Sequence, residues 1–212
     1  MKIRALAPVI AVACGMALAA FSPAAAQESG TFTLIQNGQE MATEEFTRTD
    51  DMLETELTVT GQALILTEGT LGDNGMVDRM EIRVLPPDSP DAEPLQTLAA
   101  EFANDSVHVE QPIGTSGAAQ PAVAGTVPFL NPSPAHLEQI LRRARALGGN
   151  QVTVQVWVPS QGAGQVVPAQ IAFNDDTATL TLGAVAFELE TDDEGRVLGG
   201  QVESQGLVIE RR

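Results

Sequence analysis

The sequence predicts a mainly β protein: a single curved antiparallel sheet, or open β-barrel, of about 10–13 strands with one amphipathic helix. Three observations predict it. Short runs alternate apolar and polar residues with period two. Clusters of Gly, Asn and Asp separate these runs at a spacing of about 8–12 residues, as in an antiparallel meander. Only one segment carries a helical period, whereas a parallel sheet needs a helix at every crossover. At 212 residues, 43% hydrophobic and 18% charged, the composition is that of one globular domain.

Residues 1–26 read as a secretory signal peptide. Lys2 and Arg4 form a basic start, Ala5 to Ala20 an apolar stretch, and Ala24-Ala25-Ala26 the small residues before a cut at Gln27. Pro8 and Gly15 interrupt the apolar stretch and no basic stop follows, which disfavours a membrane-spanning helix. Cys14, after Ala11-Val12-Ala13, leaves a lipoprotein as the alternative, although Gly15 to Ala20 continue apolar where a mature lipoprotein would turn polar. The expected location is periplasmic or secreted, after cleavage near Ala26, with residues 27–212 as a single β-rich domain. Lys2, Arg4 and Cys14 leave with the peptide, so 28 acidic groups face nine arginines and no thiol remains for disulfide or metal chemistry. The formal charge of −17 argues against nucleic acid and anionic membrane as partners.

Within the domain, Thr31 to Gln36 places Phe32 and Leu34 on one face, and Asn37-Gly38 is a strong hairpin signal. Leu53, Thr55, Leu57 and Val59 alternate with Glu54, Glu56, Thr58 and Thr60, a half-buried strand. Gly61-Gln62 turns into Ala63 to Thr70, and Asp73-Asn74-Gly75 into Val77 to Leu85. The Pro-rich stretch 86–90 is a loop, followed by strands over Leu95 to Ala103 and Val107 to Gln111. Residues 112–126, all Gly, Ala, Pro, Ser and other uncharged types, form a long flexible loop, either a crossover or a flap over a cavity. The helix covers 133–147: Ser133 caps it, Pro134 suits its first position, and Gly148-Gly149 stops it. Leu137, Ile140, Leu141, Ala144 and Leu147 share one face, and Glu138 stands four residues before Arg142. Val152, Val154, Val156 and Val158 then alternate with Gln151, Thr153, Gln155 and Trp157. Strands over 166–173, 177–182, 185–190, 196–202 and 207–210 complete the count, the turn Asp192-Asp193-Glu194-Gly195 among them. Thr67 to Val84 and Glu190 to Glu203 read alike, a strand end, an acidic turn closing on Gly and a second strand, as either an internal repeat or common turn chemistry.

Little in this chain points to catalysis. His108 and Glu110 share a strand face two residues apart, with no third ligand in view, and no metal site is expected. Gly114-Thr115-Ser116-Gly117 lacks the spacing of a nucleophile elbow, and the acidic turns lack the ligand spacing of a calcium loop. Trp157 is the only Trp, so no aromatic-lined sugar cleft is indicated. Asn104-Asp105-Ser106 is a glycosylation sequon only in a glycosylating host. Met41, Met52, Met76 and Met80 suit an irregular core or an adaptable pocket. No catalytic residue and no cofactor is expected.

The signal peptide, the meander and the turns Asp73-Asn74-Gly75 and Asp192-Asp193-Glu194-Gly195 resemble the periplasmic half-barrel proteins of the lipoprotein-carrier type. That resemblance implies a curved sheet around a helical plug that binds acyl chains inside. Phe32 to Phe46 and the helix Leu137 to Gly149 are also similar to uncharacterised β-rich domains found ahead of secreted α/β hydrolases. Two function classes follow. One is a non-enzymatic carrier or sensor holding an apolar or lipid-like small molecule between sheet and helix. Its candidate contacts are Leu137, Ile140, Leu141, Arg142, Arg145 and Trp157, with Arg143, Arg79 and Arg83 as further receivers of an anionic head. The other is an interaction module of the cell envelope that meets a partner protein with its acidic surface or sheet edge. A carrier needs an apolar cavity of about 300 Å3 or more, whereas a module can be packed solid.

Overall fold

The computed structural model describes residues 27–87, 89–110, 118–160 and 164–212. The signal segment and residues 112–117 of the expected loop lie outside them. The described chain forms one open, curved sheet of 15 strands and one α-helix, so the predicted class is the observed one. β1 (Glu28–Gln36) to β7 (Ser106–Glu110) form a meander with β2 (Gln39–Arg48), β3 (Met52–Val59), β4 (Ala63–Leu71), β5 (Val77–Leu85) and β6 (Gln96–Phe102) between them. β10 (Gln151–Val158), β11 (Gln165–Asn174), β12 (Thr177–Leu182), β13 (Val185–Thr191), β14 (Val197–Val202) and β15 (Leu207–Arg211) form a second meander. β1 pairs antiparallel with β15, Phe32 opposite Arg211, and this contact joins the two meanders.

Two strands exceed the expected number. β8 (Ala118–Pro121) and β9 (Val127–Pro128) occupy the two free ends of the sheet, β8 beside β7 and β9 parallel to β10. Their sequences, Ala-Ala-Gln-Pro and Val-Pro, do not alternate; backbone pairing alone defines them. Turn chemistry elsewhere follows the sequence. Asn37 and Gly38 both adopt positive φ (52° and 80°), the geometry that a two-residue hairpin loop requires.

The internal similarity is structural. In the β4–β5 hairpin the ladder shifts between Thr70/Arg79 and Leu71/Val77; in the β13–β14 hairpin it shifts between Glu190/Gly199 and Thr191/Val197. The closing bonds match as well. Gly72 N–H donates to Met76 O (2.8 Å) and Gly75 N–H to Gly72 O (2.8 Å), while Asp192 N–H donates to Arg196 O (3.2 Å) and Gly195 N–H to Asp192 O (3.0 Å). Asn74 and Asp192 each turn a side-chain oxygen back onto a backbone N–H of the turn. The ladder and backbone-bond positions are offset by 120 residues, as Gly75 and Gly195 show, whereas the capping side chains Asn74 and Asp192 stand at different places in the turn. Two copies of one hairpin unit therefore sit in the two meanders.

The helix α1 (Pro134–Leu147) fills the concave side. Ser133 caps it, accepting from His136 N–H at 3.2 Å, and Gly148 and Gly149 end it at positive φ. Every residue from Pro134 to Leu141 is buried, so the first two turns of the helix are enclosed on all sides rather than laid by one stripe on a surface. Leu137, Ile140, Leu141 and Ala144 join Phe32, Leu34, Phe129 and Val156 in one cluster. Leu147 does not: as the last helical residue it projects past the sheet and is 48% exposed.

Trp157 has the parity of Gln151, Thr153 and Gln155, away from the helix, yet it is fully buried. It belongs to a second cluster with Met80, Ile82, Leu98 and Val107, and Phe102 meets its ring edge-on at 5.7 Å. The inner face of β5–β7 thus laps over the outer face of β10, closing the curl by overlap rather than by a hydrogen-bonded seam. Leu141 is 0% exposed at the centre of the first cluster. Leu141→Ala is expected to cost about 2–5 kcal/mol in urea unfolding, the range for deleting a buried Leu side chain; a loss below about 0.5 kcal/mol would show α1 to be peripheral.

Candidate functional site

Charged residues inside the curl make the most distinctive chemistry of the molecule. Along β2 the inward positions are Ala42, Glu44, Phe46 and Arg48, so alternation that places two apolar residues in the core carries a carboxylate and a guanidinium in with them. α1 brings Glu138, which is 0% exposed. Its Oε1 accepts from Arg48 and from Arg142 (3.2 Å), and its Oε2 from Arg211 (2.8 Å) and from the backbone N–H of Val197 (3.0 Å). Glu28 faces the same guanidiniums from β1, accepting from Arg142 at 2.7 Å and Arg211 at 2.9 Å, with Arg48 at 3.7 Å. Arg211 also lies over the stacked rings of Phe32 and Phe46, at 5.3 and 5.1 Å.

This network forms the floor of a cleft of about 1010 Å3 at one rim of the sheet, with Arg48, Arg142, Arg196 and Arg211 on its walls. The cleft is mixed in charge: Asp50, Asp73, Glu28 and Glu194 line it too, and Arg196 is held by Asp192. Buried against Glu138, the Arg48 guanidinium has its pKa lowered by loss of water, with Glu138 opposing that shift. Such a set holds an anionic group only by exchanging it for Glu28, since three guanidiniums already share two carboxylates.

A second buried group lies at the start of α1. Glu44 accepts from the Ser133 hydroxyl and from Ala135 N–H (2.9 Å), and burial raises its pKa to about 7 against these lowering hydrogen bonds. Beside it, His136 Nδ1 accepts from Leu130 N–H at 3.0 Å, and burial, with the nearby charge of Arg48, lowers its pKa to about 3. A carboxylate, a serine and a histidine therefore meet, but Ser133 and Glu44 are 0% exposed and the hydroxyl is the helix cap. The arrangement is one of support for the helix.

Of the residues expected to meet a ligand, Leu137, Ile140 and Leu141 are packed in the first core cluster and Trp157 in the second. Arg142 reaches the rim cleft, and Arg145 lies 3.8 Å over the Phe173 ring. Arg143 approaches Ala124 O at 3.5 Å, while Arg79 and Arg83 pair with Glu101 and Glu81 on the outer face. Arg48, Arg211, Glu28 and Glu44 were not singled out from the sequence. The available signal was parity: Glu44 and Arg48 occupy the register of Ala42 and Phe46. His108 lies beside Ser106, 2.9 Å from its hydroxyl, and among the described residues no three His, Asp or Glu gather to hold a metal. Among the same residues no helix is long and apolar enough to cross a membrane.

Two measurements test the buried charges. Glu138→Gln removes the carboxylate that Arg48 is buried against, and a loss of about 3–5 kcal/mol in unfolding free energy is expected. A change below about 1 kcal/mol would mean the guanidiniums find water instead. The second test is the pH profile. Glu44 has a folded pKa above its ordinary 4.5, so its contribution is complete below that value and is lost as pH rises towards 7. His136 has a folded pKa below its ordinary 6.5, so its contribution is complete above 6.5 and is lost as pH falls towards 3. Between these limits the two slopes oppose, and the difference between wild type and Glu44→Gln isolates the first. Relative to Glu44→Gln, wild type is expected to lose stability as pH rises from 4.5 to 7, by about 3 kcal/mol at about 1.4 kcal/mol per pKa unit; a flat difference would contradict the burial of a carboxyl there.

No protein-family model matches the sequence, and no curated protein matches it. Among solved structures the chain is similar to a DUF1089 family protein from Pseudomonas aeruginosa, with a TM-score of 0.56 at 16% identity over 74% of this chain and 88% of that one. It is also similar to a β-barrel-like protein of the domain of unknown function DUF1849 from Brucella abortus, with a TM-score of 0.45 at 12% identity over 88% and 94% of the two chains. At 16% identity the first likeness is one of fold: a β-rich architecture shared with a domain of unknown function.

Proposed function

We propose that this chain is an exported, non-enzymatic protein of the cell envelope that works as an interaction module, meeting a partner protein with its outer and rim surfaces. The observation that supports this reading is the occupied interior. Leu137, Ile140 and Leu141, 1%, 0% and 0% exposed, already lie against Phe32, Leu34 and Phe129 on the concave face. An acyl chain between sheet and helix would have to displace them and the buried charges behind them, each ion costing several kcal/mol to strand without its partner. The grooves instead open on the surface, in walls that carry eleven of the acidic residues. The likeness to lipoprotein-carrier half-barrels enters this reading for export and for sheet curvature, and a carried lipid is the competing outcome.

Native mass spectrometry of the exported protein after gentle purification tests both parts. The expected result is a chain beginning at Gln27 with no bound lipid. A chain that keeps residues 1–26, or carries lipid on Cys14, would overturn export by cleavage at that point. One acyl lipid per chain would overturn the module reading in favour of the carrier.

A further inference from the structure

On the outer face of the second meander, the sheet carries a groove of about 740 Å3 across β12–β15. Its floor is Gly199. The register sets Glu190, Gly199 and Glu210 directly opposite one another on β13, β14 and β15, and both glutamates are exposed. Strands stand about 4.8 Å apart, so the carboxylates flank a position with no side chain of its own, Glu190 Oε2 lying 3.7 Å from where a Gly199 Cβ would stand. The ladder shift at Glu190/Thr191 leaves Leu198 as the extra residue, turned out to solvent at 49% exposure, and Val208 is 40% exposed on β15. These are two of the five large exposed apolar residues in the described chain.

The internal repeat shows what such a gap takes. In the first hairpin the residue equivalent to Gly199 is Arg79, set between Thr70 and Glu101 as Gly199 is set between Glu190 and Glu210. Arg79 Nη1 donates to Glu101 Oε1 at 2.9 Å. The second repeat keeps the acceptor at the equivalent position, Glu210, adds a second acid at Glu190, and has no guanidinium. Its bulged residue is Leu198 where the first repeat has Asp78. Arg211 does not substitute, since its guanidinium turns away to Glu28, Glu138 and Val197 O.

We infer that this groove docks an extended, cationic segment of a partner protein, placing an Arg or Lys side chain over Gly199 between Glu190 and Glu210 with its apolar neighbours on Leu198 and Val208. The inference rests on the interaction-module reading and names its partner chemistry. Charge selects the occupant: Asp176 and Asp193 extend the acidic wall past Leu198, on a chain of net charge −17. A second copy carries the same net charge, and of its nine described arginines six pair within the chain, Arg143 and Arg145 sit on the helix and Arg212 remains, so like charges oppose that occupant.

The test uses the exported protein and a fluorescein-labelled octapeptide alternating Arg and Val, read by anisotropy. A control peptide replaces Arg by citrulline, which keeps the shape and removes the charge. Glu190→Gln/Glu210→Gln is expected to weaken binding by about tenfold or more, the loss of a charge-assisted hydrogen-bond pair. Gly199→Arg, which copies the first repeat, is expected to block it. Its added Cβ would stand 3.3 Å from Ile209 O, a tight contact with backbone, and 3.7 Å from Glu190 Oε2, so the strand must shift by a few tenths of an ångström to take it. Glu54→Gln/Glu68→Gln removes the same charge from the other outer face and is expected to change binding by less than about twofold, since charges beyond a Debye length are screened. Thermal melts check that each variant folds. Equal losses from the two double variants, undiminished binding to Gly199→Arg or to citrulline, or no binding at all would overturn the groove. Because lipid content decides the module reading separately, a lipid-free protein that ignores the peptide would overturn the groove alone.

Discussion

The structure depends on one buried carboxylate. Glu138 sits fully out of water on a helix enclosed by sheet, and it is tolerable there only because β2, β15 and α1 itself each supply a guanidinium and β14 an amide N–H. Removing a carboxylate from water costs several kcal/mol, and an excellent set of donors offsets that cost without exceeding it by much. The gain is therefore in geometry more than in stability. The donors come from strands distant in sequence, Arg48 and Arg211 standing 90 and 73 residues from Glu138. Satisfying one side chain fixes the helix against both meanders at once.

Enclosure of the helix explains why so much polar chemistry lies inside a domain this apolar. A helix packed by one stripe leaves its other faces to solvent, but here the first two turns are covered all round. Each polar side chain on them then needs an internal partner. The Ser133 hydroxyl and the Ala135 amide find Glu44, the His136 ring finds the backbone of Leu130, and Gln139 finds Gly75 O in the turn of the first repeat. The shifted protonation of Glu44 and His136 is a product of that enclosure, with no exposed substrate-facing group involved. Buried, partnered titratable groups of this kind hold the fold, and their presence is no argument for catalysis.

The sheet was legible in the sequence because its signals are local. Period-two alternation and the turns Asn37-Gly38, Asp73-Asn74-Gly75 and Asp192 to Gly195 act within ten residues, and the strands between them fall where those signals place them. What stayed hidden required knowing which strand lies over which. The alternation of β10 assigns Trp157 to an outer face, and only the overlap of β5–β7 on that face buries it. Helical spacing identifies Glu138 and Arg142 as a surface pair four residues apart, whereas the sheet that covers them turns the same two residues into the centre of an ion network. For the site the missed evidence was Glu44 and Arg48 in an apolar register, a local conflict of the kind that marks a special position.

The two hairpin units share one backbone solution and fill it differently. Both keep the bulge, the Asx-type turn and the glycine at its close, because these set the backbone path and admit few alternatives. Side chains were free to follow their surroundings. Where the first repeat points Met80 into the overlap around Trp157, the second has Gly200, whose added Cβ would stand 2.5 Å from Glu188 O and 2.8 Å from a Leu189 methyl. The inner volume there belongs to the neighbouring strand. On the outer face the first repeat is closed by Arg79 and Glu101, a pair held in place by direct cross-strand register. At the same register the second repeat opposes two carboxylates across a glycine, beside a leucine turned outward by the bulge. With the backbone pattern shared and the outward cation present in one hairpin only, the difference between the two hairpins is localised to the surface. Differences at such outward positions leave the ladder and the core unchanged.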